Sequence, residues 1–304
     1  MATPIELPAP PVPWFTFEVQ RALQWRAGDI VISVAAKSGT NWMMNIVHQL
    51  RSGGDDGFRD IYHHVPWLEF VPRPGATTEG LTAALDAMPA EPRRVFKTHS
   101  GPPLLPYLAP GTGPEVKYIV VGRNPEEVLV SLKPFFERHR AEWFELWGME
   151  AGPPLPSFEL FYEHVIGPMD SASRPFQNIA GWWAHRHQPN VLVLHFTDLL
   201  HDLEGSIRKV AAFAGLEPSP EQMPTIVERC SFAWMKANQI KFELPEIGAI
   251  PVLESGSLIR RGKVGEARDE GMTDAIAAQV AEAGRRALPD EAARRWLYEG
   301  GELP

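Results

Sequence analysis

The sequence predicts an α/β fold: a P-loop-like parallel sheet flanked by helices on both faces, in a single domain. Three observations carry this. Four short, almost wholly apolar runs have the look of strands covered on both sides. Helical patterns follow several of them, and the first run breaks into a small-residue loop that enters a helix.

The first strand is read at residues 30–34, the second at the brief Val95-Phe96, the third at 116–121, and the fourth at 191–194, extended by His195-Phe196. After the first, Trp42, Ile46, Val47 and Leu50 recur at helical spacing, and Gly53-Gly54 supply a stop. Leu81, Leu85 and Met88 share one face of a second helix before Pro89. A third starts at Pro125, tolerated in a first turn where no N–H partner is needed, and carries Val128, Leu132 and Phe136. A fourth, from near Gly205, carries Ile207, Val210, Ala211 and Ala214 before Gly215-Leu216. Residues 1–14 read as a flexible, Pro-rich N-terminus and 15–304 as the domain. Within it, 137–189 reads as an insertion rich in aromatics: Trp143, Phe144, Trp147, Phe158, Phe161, Tyr162, Trp182 and Trp183. Such a stretch either covers a ligand site or packs as a helical cap.

Composition narrows the function. The chain of 304 residues has 29 Lys and Arg against 38 Asp and Glu, a formal charge of −9. Nucleic acid is therefore not an expected partner, since binding it takes a basic excess. With 44% hydrophobic and 22% charged residues the chain is globular in composition. Its one cysteine, Cys230, allows no intramolecular disulfide and no cysteine-rich metal site. No run approaches the roughly 18 apolar residues of a membrane span, so a soluble, cytoplasmic protein without stable membrane insertion is expected.

Four segments carry candidate chemistry. In the first, the strand from Asp29 runs into Lys37-Ser38-Gly39-Thr40-Asn41-Trp42. A strand, loop and helix start in this order turn backbone N–H groups toward one spot, to which Lys37 adds a charge. It is not a Walker A loop, because the only nearby glycine follows the lysine; an ordinary turn with a surface lysine is the alternative. Second, the short strand at Val95-Phe96 ends in Lys97-Thr98-His99. Ligands of open α/β sheets bind at the carboxyl ends of strands, so these side chains approach the crevice of Lys37, where a histidine suits a general base. Third, the strand at 116–121 ends in Arg123, where many triphosphatases place a metal-holding carboxylate, and Ser131 follows two turns into the next helix. An ion pair with Glu126 or Glu127 is the alternative for Arg123. Last, Arg260-Arg261-Gly262-Lys263 lies in a basic, glycine-interrupted loop that either clamps a phosphate or is simply solvated.

In this order these segments resemble the cytosolic sulfotransferase family, from about Asp29 to Arg268. Its members move a sulfuryl group from 3′-phosphoadenosine 5′-phosphosulfate (PAPS) to a hydroxyl or amine and release 3′-phosphoadenosine 5′-phosphate (PAP). The resemblance implies that residues 37–42 bind the 5′-phosphosulfate, with Asn41 in place of a threonine. It implies that His99 is the base, that Lys37, Lys97 and Ser131 belong to the catalytic set, and that Ser131 and Arg123 hold the 3′-phosphate. Arg260, Arg261 and Gly262 are similar to its clamp on that phosphate. Val65-Pro66-Trp67-Leu68-Glu69-Phe70 resembles its acceptor gate, with Trp67 and Phe70 against the acceptor. Ser231-Phe232 and Met235 resemble its adenine contact, so Trp42 and Phe232 are expected to sandwich the base, near Phe196. Phe196 stands for a usual tyrosine and Cys230 for a usual threonine. The family's dimer motif is not recognisable in 269–278, which leaves the oligomeric state open.

The implied reaction is in-line transfer to a small, apolar or aromatic acceptor, without a metal, because a sulfuryl group carries less charge than a phosphoryl group and fixed cations suffice. Three rivals stay open on sequence: a kinase using Asp198 to hold a metal, a nucleotide-binding regulator without catalysis, and sulfation followed by elimination.

Overall fold

The computed structural model describes residues 7–8, 10–91, 93–244 and 250–304. Of the N-terminus read as flexible, residues 1–6 and 9 lie outside the described residues, while Trp14 packs edge-on against Trp143 and Phe144.

Four parallel strands, β1 (Ile30–Val34), β2 (Val95–Thr98), β3 (Lys117–Gly122) and β4 (Val191–His195), pair in the order β2-β1-β3-β4. The register sets Ser33 beside Thr98, Val34 beside Val121, and Gly122 beside His195, so the four carboxyl ends finish nearly level. From β1 the chain first builds outward to β2 and then returns to place β3 on the other side. The crevice between the loops after β1 and β3 is therefore a topological switch point, the place where such sheets bind ligands.

The two-residue period of the strands splits the core in two. Ile30, Ile32, Val34, Ile119 and Val121 face the helices Thr40–Ser52, Leu203–Ala214 and Met223–Arg229. Val31, Phe96, Tyr118 and Val120 face Pro125–Glu137, Arg174–Trp183, Asp274–Ala287 and Glu291–Glu299. Both faces are covered, which is why the strands read as continuous apolar runs. All four strands and four helices foreseen from periodicity form, with ends moved by a few residues. The last two helices went unread, although Ile276, Val280 and Ala283, then Ala293, Trp296 and Leu297, mark their buried faces.

Phe196 departs from its expected strand. The His195 side chain and the Asp198 carboxylate form a reciprocal cap, with Oδ2 of Asp198 accepting from His195 N at 2.9 Å, and Phe196 opens the helix Phe196–His201. That engagement also occupies the carboxylate on which a metal-dependent kinase reading rests.

At the opposite end of the sheet, Asp29 and Arg94 precede β1 and β2. Arg94 donates from Nε to Oδ1 at 2.9 Å and from Nη2 to Oδ2 at 2.6 Å, and both side chains are almost wholly buried. This two-pronged pair ties the two strands at their starts, leaving the carboxyl ends free for the site. Asp29→Asn strands the guanidinium, whose only other carboxylate among the described residues is Asp86 at 3.6 Å. Urea denaturation is expected to show a loss of about 3–5 kcal/mol, the usual cost of breaking a buried pair from one side.

Candidate active site

The loops after β1, β2 and β3, the start of the helix after β4, and the segment around 260 converge on one cavity of about 990 Å³. Its wall includes Lys37, Gly39, Thr40, Asn41, Trp42, Trp67, Phe70, Lys97, His99, Arg123, Ser131, Phe196, Phe232, Arg260, Arg261 and Gly262. Of the residues singled out from sequence, Ser38 and Ser231 are off this wall; Ser38 is buried beneath the loop, its N–H donating to Ala35 O at 3.1 Å.

The loop at 35–40 is held in an unusual conformation. Lys37 has φ 66°, a left-handed conformation uncommon for a residue with a side chain. Its carbonyl accepts from Arg123 Nη1 at 2.8 Å, so the end of β3 fixes the turn after β1. Gly39 follows at φ 96°, and a methyl there would lie 2.9 Å from the Phe196 ring. The loop is thus clasped between Arg123 and Phe196, and the Arg123 guanidinium itself rests 4.4 Å from the Phe196 ring centre. Thr40 Oγ1 is buried with no hydrogen-bond partner among the described residues. An orphaned hydroxyl at a helix start, beside a lysine, fits an anion that supplies the missing acceptor.

Cations crowd this end of the sheet. Burial, with Arg123 and Arg260 adding repulsion, pushes the Lys37 ammonium down to about 7; its Nζ lies 4.7 Å above the Phe135 ring. Lys97 Nζ sits 3.5 Å from the centre of the Trp67 indole and 2.8 Å from His99 Nε2, and burial holds its ammonium well below the usual range. The same desolvation, reinforced by Lys97, keeps His99 well below the usual imidazole value. His99 Nδ1 lies 2.7 Å from the Val34 carbonyl, an acceptor only, so Nδ1 carries the proton and Nε2 the lone pair. His99 is therefore a neutral imidazole with its basic nitrogen turned to the lysine.

Part of the clamp is engaged internally. Arg260 pairs with Glu270 at 2.7 Å, Arg261 with Glu266 and Glu270 at 3.0 Å each, and Arg123 with Glu127 at 3.4 Å. Glu127 Oε1 also accepts from Gly265 N at 2.7 Å, holding the loop toward the helix that bears Ser131. The ion-pair reading of Arg123 and the cavity reading are thus both realised. Gly262, at φ 64°, lies so close under the Phe232 ring that a side-chain carbon would collide with it. Phe232 remains 39% exposed, an aromatic face presented to the opening.

Both gate residues are on the cavity wall, and they are held by aromatic packing. Trp67 stacks on Phe70 at 5.3 Å and 8°, and meets His99 edge-on at 5.1 Å. Trp67 is thus part of the wall that holds Lys97 and His99, and Phe70 is backed by Trp143 at 5.9 Å. For the aromatic insertion, the packing alternative is the one its aromatics follow. Among the described lining residues, none of its eight aromatics is on the cavity wall; Trp143 and Trp147 pack around Trp14, Phe161 against Phe136, and Trp182 against Tyr118. The insertion reaches the cavity instead through polar and small residues such as His139, Ser171, Arg174 and Asn178.

Sequence reasoning missed several wall residues. Phe135 stands four positions after Ser131 on the same helix face, a spacing that could have found it. Phe15 and Phe17 come from the N-terminal stretch, and Tyr62 donates its hydroxyl to Asn41 Oδ1 at 3.2 Å; no local signal marks these. Among the described residues no group of three or more His, Cys, Asp or Glu is arranged to hold a metal, and no helix is long and apolar enough to cross a membrane.

Human sulfotransferase 1E1 is 32% identical over 221 residues, covering 71% of this chain and 69% of that protein. A glycolipid sulfotransferase of Mycobacterium tuberculosis is 27% identical over 245 residues, covering 71% and 72%. Retinol dehydratase in complex with retinol and PAP shares the fold at a TM-score of 0.69 and 23% identity, over 88% of this chain and 83% of that one. Mouse sulfotransferase SULT7A1 complexed with PAP does so at 0.67 and 19%, over 93% and 91%. The sulfotransferase domain model matches residues 27–291, and the chain belongs to the sulfotransferase family.

Proposed function

We propose that the protein transfers the sulfuryl group of PAPS to a hydroxyl, or an amine, of a small apolar or aromatic acceptor, with His99 as the general base. The observation that carries this reading is the meeting, in one cavity, of the buried and partly discharged Lys37 and Lys97 with a neutral His99 whose lone pair faces them. Such crowding of desolvated cations calls for a polyanion.

In this reading the loop at 37–42 holds the 5′-phosphosulfate, with Thr40 Oγ1 donating to it. Arg123 and Ser131 hold the 3′-phosphate, and Arg260, Arg261 and the Gly262 N–H close over it as Glu270 and Glu266 give up their partners. Trp42, Phe196 and Phe232 offer ring faces to adenine. The bond from the acceptor oxygen to sulfur forms as the bond from sulfur to the phosphate oxygen breaks, and the acceptor proton passes to His99 Nε2. Lys37 neutralises the departing phosphate oxygen, and Lys97 turns from Nε2 toward the sulfuryl oxygens. Bound anionic charge raises the basicity of His99, so the base becomes effective once the donor is in place. No step needs a metal-held nucleophile.

A cavity of about 990 Å³ lies at the upper end of the range of roughly 300–1,000 Å³ for small-molecule sites, room for a nucleotide and a second small molecule. Phe15, Phe17, Phe70, Phe136 and Val252 on its wall favour an apolar acceptor. PAP and retinol in the retinol dehydratase structure, and glycolipid in the name of the mycobacterial relative, bracket the acceptors worth screening.

Labelled PAPS supplied with phenols, alcohols, amines and glycolipids is expected to yield a sulfated product, and product mass spectrometry separates a sulfate ester from a dehydrated one. His99→Ala should lower turnover by about 10²–10⁴ while PAP affinity by calorimetry changes little; wild-type turnover in that variant, or failure of the wild type to bind PAP, overturns the reading. Lys37 makes a second prediction. With its ammonium at about 7, it is largely neutral at pH 8 and must regain its proton when an anion binds. PAP binding at pH 8 should therefore take up protons, measured in buffers of differing ionisation enthalpy, and fewer at pH 6. Lys37→Arg, charged throughout, should lower the uptake at pH 8 by close to one proton.

A further inference from the structure

Glu69 is completely buried in the segment that runs beside β2, where Leu68 N donates to Lys97 O at 3.0 Å and Lys97 N to Pro66 O at 2.9 Å. A lone carboxylate at that depth is costly unless its oxygens are satisfied. Its Oε1 accepts from His99 N at 2.9 Å, Ser100 N at 3.0 Å and Ser100 Oγ at 2.7 Å, and from the Thr98 hydroxyl. Oε2 is equally buried and has no partner among the described residues. One oxygen thus gathers the whole turn that follows β2, and the other leaves negative charge uncompensated by hydrogen bonds.

That charge acts on Lys97. The groups facing Lys97 are Glu69, Lys37, the His99 ring at 2.8 Å, the Trp67 ring at 3.5 Å and the Tyr62 ring at 5.9 Å, whose hydroxyl burial keeps neutral. His99 in turn faces Lys97, Lys37 and Arg174. Among these, Glu69 supplies the only negative charge.

We infer that Glu69 is the positioning residue of the reaction centre: its carboxylate fixes the turn that aims His99 and sets a negative charge behind Lys97. The inference rests on the roles proposed above for His99 and Lys97. It gives Glu69 a part separate from that of its neighbours Trp67 and Phe70, since its side chain reaches neither acceptor nor nucleotide from within the wall.

Glu69→Gln keeps a carbonyl oxygen for the turn and removes the charge. PAP affinity by calorimetry should stay within about threefold and the acceptor KM should change little, while kcat falls about 10-fold to 100-fold. With the counter-charge gone the Lys97 ammonium is lost at lower pH, so the alkaline limb of kcat should move down by about one pH unit. Glu69→Asp restores the charge but withdraws the oxygen from the turn; it should return the alkaline limb to its wild-type position while kcat remains reduced. If Glu69→Gln does not fold, the aspartate variant carries the test through that split. Wild-type kcat and an unmoved pH profile in the variants that fold overturn the inference. Failure of the wild type itself to bind PAP or turn over would instead count against the proposed function, so the two failures are distinguishable.

Discussion

Everything at the carboxyl end of the sheet is arranged around one electrostatic constraint: too many cations held too close together and too far from water. Lys37, Lys97, Arg123 and Arg260 share a single cavity, and burial together with repulsion from neighbouring cations makes the charge on Lys37, Lys97 and Arg123 harder to hold. The fold answers with acids set behind the wall. Glu127 steadies Arg123, Glu270 steadies Arg260 and Arg261, and Glu69 answers Lys97. Each is a partial remedy, because a carboxylate in the wall balances the charge without filling the cavity. A ligand with several negative groups completes the balance, and the overall charge of −9 describes the outer surface of a molecule whose interior site is basic.

In the proposed reaction this arrangement couples binding to reactivity. An imidazole beside an ammonium ion is a poor base, and His99 is additionally desolvated. Anionic charge entering the cavity relieves both lysines and makes a protonated imidazole tolerable. The tautomer needs no such help: the Val34 carbonyl, at the last residue of β1, sets it in advance. The hydrogen bond from Arg123 to the Lys37 carbonyl likewise links the loops on either side of the switch point before any ligand arrives. Preorganised positions with adjustable charge are what electrostatic catalysis in a dry site requires.

The side of the cavity proposed for the acceptor follows a different logic, that of packing. A small-molecule wall needs apolar surface, and the chain supplies it from Phe15, Phe17, Phe70, Phe135 and Phe136, drawn from three separate segments. The aromatics richest in sequence, from Trp143 to Trp183, instead buttress this wall from behind or fill the sheet core. Density of aromatics along the chain signals where the core is thick. Which ring reaches a cavity depends on helix rotation and on what lies across from it, and neither is local information.

The sequence by itself determined the four strands, the helices after β1 and β3, and the cation-bearing loops at their ends, because apolar period, glycine stops and strand-end placement are local properties of the backbone. Lys37, Lys97, His99, Arg123 and Ser131 were legible for that reason, as residues at fixed positions after a strand. Tertiary structure decided what those residues face. It brought Glu69 under His99, set Glu270 against the two clamp arginines, turned Ser38 inward, and made Phe196 a helix start that clasps Gly39. Charge and contact act through space: Glu69 and Ser100 lie 31 residues apart along the chain, and Glu127 and Gly265 lie 138 apart.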